Sequence, residues 1–265
     1  MSDTPRCQTP VSVYMLTFNN ARTVEAALES VKDWADEIVV VDSHSTDATP
    51  DIAKRYATNF VQRPWPGFRE QYQFAAEQCR NDWVLFVDAD EVLPQELLAE
   101  MDQELAANLQ RPDDEQIAGY HCHRITWFLG RWIRHGGWLP DHEIRLYNKT
   151  RGGWKGGLHA KVHVDGPEAF FKNKYRHYTY ADIADQIQTI NKYSDNAAQD
   201  MLEEGRSCTV LHLLFRPLGR FLRDYVFKCG FLDGRAGFVI AVNTAFHVFT
   251  KYAKLWERKR KKKRL

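Results

Sequence analysis

The chain has 265 residues, 44% of them apolar, which is enough for a substantial core in one α/β domain, with or without an appendage. Its five scattered cysteines contain no C-x-x-C pair, which excludes a disulfide framework and a zinc ribbon and fits a reducing compartment. The net charge of +1 hides an asymmetry, because residues 258–264 are all basic while residues 1–257 carry 29 basic and 35 acidic side chains.

The sequence has neither the pattern of a signal peptide nor that of a membrane span. The opening residues MSDTPRCQTP lack the apolar core of a signal peptide, and no stretch reaches the 18 or so apolar residues of a membrane span. We therefore expect the protein to be made and kept in the cytoplasm.

The pattern of residues 11–110 alternates between strand and helix. Apolar runs predict strands in VSVYMLTF, EIVVVD, NFVQRPW and WVLFVDAD, and apolar positions at helical spacing predict helices in ARTVEAALESVKDW, SHSTDATPDIAKRYA and GFREQYQFAAEQCR. Strands that are apolar throughout belong in a parallel sheet buried on both faces. This half of the chain is therefore expected to contain βαβ units.

Acidic side chains end two of the predicted strands. Asp42 closes EIVVVD, and Asp88 and Asp90 close WVLFVDAD, while Thr17 to Asn19 lie where the first strand runs out. The carboxyl ends of parallel strands meet at one edge of a sheet, where open α/β sheets bind ligands. Residues i and i+2 at a strand end point to the same side, so Asp88 and Asp90 are expected to be able to share one divalent cation, and Mg2+ takes one or two carboxylates together with substrate phosphates.

The remainder of the chain has a different character. Residues 117–180 are rich in aromatics, His and Gly and predict short strands and turns, whereas residues 181–204 are expected to be helical. In residues 209–256, Leu, Phe, Tyr and Val alternate with Arg and Lys, which is typical of helices lying in a membrane interface. Core helices packed on the rest of the protein are the alternative, and both could hold if one face packs and the other meets lipid.

The order of the motifs TFNN, VDSHSTDAT and VDADE resembles the donor-binding half of family 2 inverting glycosyltransferases. That resemblance implies an α/β fold of the GT-A type, a Rossmann-like, mostly parallel sheet flanked by helices, here with a helical C-terminal extension that associates with a membrane. It implies a glycosyltransferase domain at 1–208, with a nucleotide-sugar half at 11–110 and an acceptor half at 117–180. The extension would comprise residues 209–265.

The resemblance also implies roles for residues of the donor site. Thr17 and Asn19 would hold the nucleotide, Asp42 would contact the base, and Asp88 would contact the ribose or the metal. Asp90 would bind Mg2+ or Mn2+.

An inverting transfer needs a base that removes the proton of the attacking hydroxyl. In WLPDHEIRLY the family pattern implies Asp141 as that base and Arg145 as a clamp on the diphosphate. Glu143 is the rival base, because it lies on the same side of an extended segment as Asp141. The competing structural interpretation is that Asp141 only pairs with Arg145.

Further segments resemble the bacterial glycosyltransferases that add glucose to the lipopolysaccharide inner core. They are RPWPGFREQYQFA, PDHEIRLY, the W...GGLH turn and RPLGRFLRDYVFKCGFLDGRAGFVIA. The implied donor is UDP-glucose, and the implied acceptor is a lipid-linked core saccharide at the cytoplasmic face of the inner membrane. This sequence differs from the usual pattern of these relatives at Gln73 and at Leu158 to Ala160. The resemblance therefore does not define a detailed role for Gln73 or the exact acceptor.

Two other functions compete with this one. A polyprenyl-phosphate glycosyltransferase commonly has a different acceptor segment or membrane spans, and a nucleic-acid-binding module is suggested only by the tail RKRKKKR on an otherwise acidic chain. We expect no nucleic acid partner and assign the tail to an anionic membrane surface. Each Lys or Arg close to such a surface contributes about 1 kcal/mol to the binding free energy.

Histidines and tryptophans give weaker signals. His121 and His123 would share one face of a strand with Cys122 on the other, which disfavours a zinc site from the three. His159 is as compatible with a place near the phosphates as with a structural hydrogen bond. Tryptophans 127, 132, 138 and 154 could stack on sugars, although large aromatics at this density usually form core.

Overall fold

The computed structural model describes residues 9–156 and 160–262, and His159 therefore lies outside the described residues. The strands are β1 Val11–Thr17, β2 Glu37–Asp42, β3 Asn59–Gln62, β4 Trp83–Phe86, β5 Glu91–Val92, β6 Gly119–Phe128, β7 Arg131–Ile133, β8 His142–Asn148, β9 Gly152–Lys155, β10 Lys161–Val164 and β11 Glu168–His177. The helices are α1 Val24–Glu29, α2 Thr49–Ala53, α3 Phe68–Glu77, α4 Gln95–Asn108, α5 Ile183–Glu203, α6 Val210–Leu222 and α7 Gly234–Lys262. The predicted alternation of strand and helix up to residue 110 is confirmed.

The chain forms two compact units. The first comprises Met1–Ile125 and Asp141–Tyr178, and the second comprises Thr126–Pro140 and Thr179–Leu265. The second unit thus takes one segment from the middle of the chain as well as its C-terminal part. The domain boundary expected after residue 208 stays a prediction, because a compact unit need not be a domain that folds independently.

A mixed sheet organises the first unit. Its strand order is β3-β2-β1-β4-β8-β6-β11-β5, with β3, β2, β1 and β4 parallel and β8 antiparallel to both of its neighbours. The expectation of a mostly parallel sheet is therefore correct for the N-terminal strands and wrong beyond β4. Parallel pairing needs a long crossover, whereas the short segment Leu129–Asp141 between β6 and β8, which includes β7, suits antiparallel neighbours.

Burial explains why the apolar runs become central strands. Every residue of β2 and of β4 is buried, as expected for strands covered on both faces. One core cluster packs side chains such as Val13, Val40 and Leu85 against α1 and α4, and a second packs Val39, Val84 and Phe86 with residues of α3. The sheet therefore fixes the direction in which its polar strand ends point.

The second unit is largely helical, as predicted. Helix α7 packs against α5 through the buried side chains of Ala198 and Met201 on α5 and Val248, Tyr252 and Leu255 on α7. In contrast, α6 has no buried residue. Within the described ranges no helix is long and apolar enough to span a membrane.

Several basic side chains of residues 209–256 are held by the protein itself. Arg220 and Arg223 pair with Asp224, whose side chain is 1% exposed, at 2.6 and 2.9 Å. Lys254 donates to Asn191 and Ser194, and Lys228 donates to the carbonyl of Leu139 at 3.0 Å. These four side chains therefore have partners within the protein, and the expectation that basic side chains of this segment contact a membrane surface stays a prediction.

Candidate active site

Three parallel strands present polar side chains in one row at their carboxyl ends. The register places Thr17 beside Asp42 and Asp42 beside Gln62. Thr17 donates to Asp42 Oδ1 at 2.9 Å, and Gln62 donates to Asp42 Oδ2 at 3.1 Å. The predicted meeting of the first two strand ends at one edge is therefore confirmed.

Asp42 is fully buried and accepts hydrogen bonds at both oxygens. Besides Thr17 and Gln62, the Ser45 hydroxyl donates to Oδ1 at 2.5 Å and the Ser45 N–H donates to Oδ2 at 2.8 Å. Burial by itself would raise the pKa of Asp42, but these hydrogen bonds outweigh it and lower the pKa. A carboxylate has about four lone-pair positions, and these four hydrogen bonds use all of them. The predicted contact between Asp42 and the nucleotide base would therefore require one of the present partners to leave.

The loops after β1 and β2 are joined through Asn19. Its side-chain oxygen accepts from the Thr46 N–H at 2.8 Å, and its own N–H donates to the Ser45 hydroxyl at 2.8 Å. Asn19 has φ of 55°, a left-handed conformation that asparagine tolerates better than most residues. The predicted nucleotide-binding residues Thr17, Asn19 and Asp42 thus form one connected network.

The acidic segment after β4 is a turn and not a continued strand. Strand β4 ends at Phe86, and the Glu91 N–H donates to the Asp88 carbonyl at 3.0 Å. The two aspartates consequently face different partners: Asp88 accepts from Tyr72 at 3.4 Å and from Arg145 at 3.2 Å, while Asp90 lies 3.1 Å from His177. The strand-alternation argument for a shared cation was therefore wrong, although both residues remain predicted ligands.

Arg145 lies inside the first unit with 3% of its side chain exposed. Its guanidinium donates to Glu91 at 2.9 Å and to Tyr175 at 3.0 Å and stacks over Phe86, in addition to contacting Asp88. Burial raises the pKa of Glu91, the charge of Arg145 opposes that rise, and Asp88 adds to it. In this conformation Arg145 stabilises the acidic turn, and its role as a diphosphate clamp stays a prediction.

His177 is a site residue that the sequence did not reveal. It lies at the end of β11, and its Nε2 contacts the Asp90 carboxylate. Burial would raise the pKa of Asp90, but the hydrogen bond and charge of His177 lower it, so Asp90 is anionic at neutral pH. Nothing in the local pattern RHYTY signals this contact, since it depends on a turn that lies 87 residues earlier in the chain.

A divalent cation fits the chemistry of this pair. Asp90 offers an oxygen and His177 an imidazole nitrogen, and Mg2+ or Mn2+ commonly takes few protein ligands together with substrate phosphates. Within residues 9–156 and 160–262, no three His, Cys, Asp or Glu side chains already converge on one point. Substrate oxygens would have to complete the coordination.

The two candidate bases lie at the start of β8: Asp141 directly precedes the strand, and Glu143 is its second residue. Asp141 forms an ion pair with Arg124, and both side chains are under one third exposed. Glu143 is 43% exposed, and its carboxylate lies 3.9 Å from Arg145. The interpretation that Asp141 pairs with Arg145 is thus wrong, because Arg145 turns toward Glu91 and Asp88 instead.

Gln73, one of the departures from the related sequences, has a structural role here, whereas Leu158 and His159 of the other departure lie outside the described residues. Gln73 accepts a hydrogen bond from the Trp154 N–H at 3.0 Å and so fixes β9 against α3. Trp154 is 9% exposed, stacks on Tyr72 at 4.2 Å, and donates to the Tyr14 hydroxyl. Trp154 is therefore core and supports Tyr72, the residue that contacts Asp88.

Comparison with known proteins agrees with this geometry. The profile of Glycosyl transferase family 2 matches residues 12–172, which contain the acidic turn, Asp141 and Arg145. An uncharacterized glycosyltransferase of Rickettsia bellii is 32% identical over 93% of this chain and 86% of its own length. A protein of Rhizobium meliloti named lipopolysaccharide core biosynthesis glycosyltransferase LpsC is 31% identical over 94% of this chain and 93% of its own.

A solved structure supports the fold. The mannosyltransferase PcManGT from Pyrobaculum calidifontis, in complex with GDP-Man and Mn2+, has a TM-score of 0.50 at 15% identity and covers 95% of this chain and 89% of its own. This likeness confirms an α/β fold of the GT-A type, with a mixed sheet and flanking helices. The profile match and the relatives at 31–32% identity show that the chain belongs to glycosyl transferase family 2.

Proposed function

We propose that the protein is a metal-dependent inverting glycosyltransferase that transfers glucose from UDP-glucose to a lipid-linked saccharide of the lipopolysaccharide inner core. The observation that carries the acceptor class is the relative named for core biosynthesis, because the match extends over nearly the whole of both chains. Similarity confined to the donor half would not have included the acceptor segment.

The proposed reaction is a single displacement. The acceptor hydroxyl oxygen forms a bond to the anomeric carbon as the bond from that carbon to the diphosphate oxygen breaks, and the configuration inverts. The hydroxyl proton passes to the carboxylate of Asp141, with Glu143 as the alternative, and the nucleoside diphosphate leaves.

The chain's own residues divide the remaining work. Thr17, Asn19 and Asp42 hold the nucleotide-binding loops in place. Hydrogen bonds from Arg145 and Tyr72 orient Asp88 toward the donor. Asp90 and His177 would hold the cation. When bound, Mg2+ or Mn2+ neutralises charge that develops on the leaving diphosphate.

The donor assignment is tested by ligand-dependent stability. We expect UDP-glucose with Mg2+ or Mn2+ to raise the melting temperature more than UDP-galactose, GDP-mannose or either metal alone, because a ligand at 100 times its Kd stabilises by about 2.7 kcal/mol. Slow hydrolysis of the same nucleotide sugar provides an independent measurement. A larger shift with another nucleotide sugar would reassign the donor.

For the location, the proposal is that the second unit attaches the enzyme to the cytoplasmic face of the inner membrane, where a lipid-linked acceptor is presented. Helix α6 supports this, because a row of its large apolar side chains is 40–68% exposed: Val210, Leu211, Leu214, Phe215, Leu218 and Leu222. Phe227 in the following turn is 79% exposed. Such a row on a helix with no buried residue suits insertion at the headgroup and acyl boundary.

Charge near this row favours a lipid surface as the partner. Helix α7 continues through Arg258 to Lys262, which are part of the basic cluster of residues 258–264. Arg258 is paired with Asp195 at 2.8 Å and Lys261 with Glu257 at 2.8 Å, so the electrostatic attraction is expected to come mainly from the other basic residues of the cluster. We therefore expect insertion of apolar side chains to add to an electrostatic contribution from the tail.

Co-sedimentation with vesicles separates these two contributions. A chain ending at Trp256 should lose affinity for anionic vesicles, and its binding should respond less to salt. Leu214→Gln together with Phe215→Gln should weaken binding to anionic and neutral vesicles alike. Leu109→Gln is the matched control, because Leu109 is 57% exposed in the first unit.

Two outcomes would contradict the proposal. Binding that is absent on anionic vesicles, or insensitive to both salt and loss of the tail, removes the electrostatic part. If the double glutamine variant binds vesicles normally but changes the molar mass measured by light scattering, the α6 row covers a second copy of the chain instead.

A further inference from the structure

A cluster of histidines lies on one face of β6 and β8. His121 and His123 occupy alternate positions of β6, and His142 on β8 stands opposite His123 in the register. Cys122 is buried with 1% exposure on the other face, so the predicted separation of Cys122 from the two histidines is confirmed. The antiparallel pairing brings in His142, which the spacing of β6 alone did not indicate.

Two ring nitrogens of this cluster face each other at an unusual distance. His121 Nδ1 and His142 Nδ1 are 3.4 Å apart, beyond the usual 2.7–3.2 Å of a nitrogen hydrogen bond. Two imidazoles bound to one tetrahedral Zn2+ at about 2.0–2.1 Å have their nitrogens about 3.3–3.4 Å apart. The spacing therefore suits chelation of one ion, besides a long hydrogen bond between the two rings.

The opposite nitrogen of His121 has the partner that metal-binding histidines usually have. Glu168 Oε2 lies 2.7 Å from His121 Nε2, which holds the ring and favours a free lone pair at Nδ1. Phe170, two residues further along β11, stacks on the His121 ring at 4.4 Å with an interplanar angle of 11°. The His121 ring is thus fixed from two sides.

An ion could reach this point from solvent. A cleft of about 240 Å³ is lined by His121, His142, His163, Glu143 and Glu168, among others. In the described part of the chain no third His, Cys, Asp or Glu completes a three-ligand group, so water or a ligand group would fill the other positions. Such a site binds more weakly than a structural zinc site with four protein ligands.

We propose that His121 and His142 form a binding site for a borderline transition-metal ion such as Zn2+ or Ni2+, with both Nδ1 atoms as ligands and Glu168 positioning His121. Imidazole selects such ions over Mg2+, which prefers oxygen. The site is separate from the cation site proposed at Asp90, and it does not depend on the proposed glucosyltransfer.

Isothermal titration of the full chain with Zn2+ and with Ni2+ tests the proposal, in the presence of excess Mg2+ to occupy oxygen sites. We expect one equivalent to bind to the wild type and to the Asp90→Asn variant. His142→Ala and the shape-preserving His142→Gln should each weaken binding at least tenfold, and Glu168→Gln should weaken it about tenfold to a hundredfold, the range found for partners of ligating histidines.

His44→Ala is the control, because His44 is an exposed histidine outside the cluster. Melting temperatures identify any variant that fails to fold, and the Gln variants keep the test valid if an Ala variant does. The proposal is overturned if the wild type binds neither ion at micromolar concentrations, if both His142 variants bind as the wild type does, or if His44→Ala loses binding to the same degree.

Discussion

We expect Asp90→Ala to lose more than about a hundredfold in transfer rate and to lose the metal dependence of donor binding, while the protein stays folded. The substitution removes a carboxylate that His177 contacts and takes no apolar side chain out of the core. The melting temperature should move by no more than a few degrees, the shift produced by about 1 kcal/mol in a protein of this size.

The matched control is Glu115→Ala. Glu115 ends another acid-x-acid triplet, Asp113 to Glu115, which lies in an exposed segment between α4 and β6. It should leave both turnover and metal dependence unchanged. Near-normal turnover of purified Asp90→Ala with unchanged metal dependence would sink the assignment of Asp90 as a cation ligand.

The second large effect is expected at the base. Asp141→Asn keeps the shape of the side chain and removes its ability to accept the hydroxyl proton, so donor affinity should survive while kcat falls on the order of a hundredfold or more. Single-turnover kinetics would separate the chemical step from product release. The amide also loses the full ion pair with Arg124, so the melting temperature must be measured alongside.

Glu143→Gln is the comparison that decides the base, because Glu143 lies two residues away and is more exposed. If Glu143→Gln alone reproduces the loss of kcat with donor affinity intact, the role moves to Glu143. If Asp141→Asn weakens donor affinity and stability but leaves the chemical step unchanged, Asp141 is structural through Arg124.

The sequence predicted the part of the site that depends on local pattern. Buried apolar runs fixed β1, β2 and β4, and their parallel order placed Thr17 and Asp42 side by side. The pattern could not show that β4 ends before Asp88, because WVLFVDAD remains apolar up to the first acid. Backbone hydrogen bonding in the turn, and not side-chain alternation, sets the directions of Asp88 and Asp90.

Contacts between distant segments were the other limit. His177 reaches Asp90 because β11 pairs with β5, and Arg124 reaches Asp141 and His142 reaches His121 because β6 pairs with β8. The strand order beyond β4 follows from pairing between segments that are far apart in the sequence, which the local apolar pattern does not indicate. Asp90 and Asp141 could therefore be proposed from motifs, whereas their contacts with His177 and Arg124 could not.

The composition of the second unit matters for anyone who wishes to shorten this protein. Phe128 and Ile133, near residue 130, are covered by Ala236 and Ile240 of α7. Asp233 accepts from the N–H groups of Arg134 and His135 at 3.0 and 2.7 Å. Cutting the chain after residue 208 would expose those apolar side chains and leave those N–H groups without their acceptor, so the truncated protein should aggregate when expressed. An active soluble form is better sought by replacing exposed side chains of α6 than by deletion.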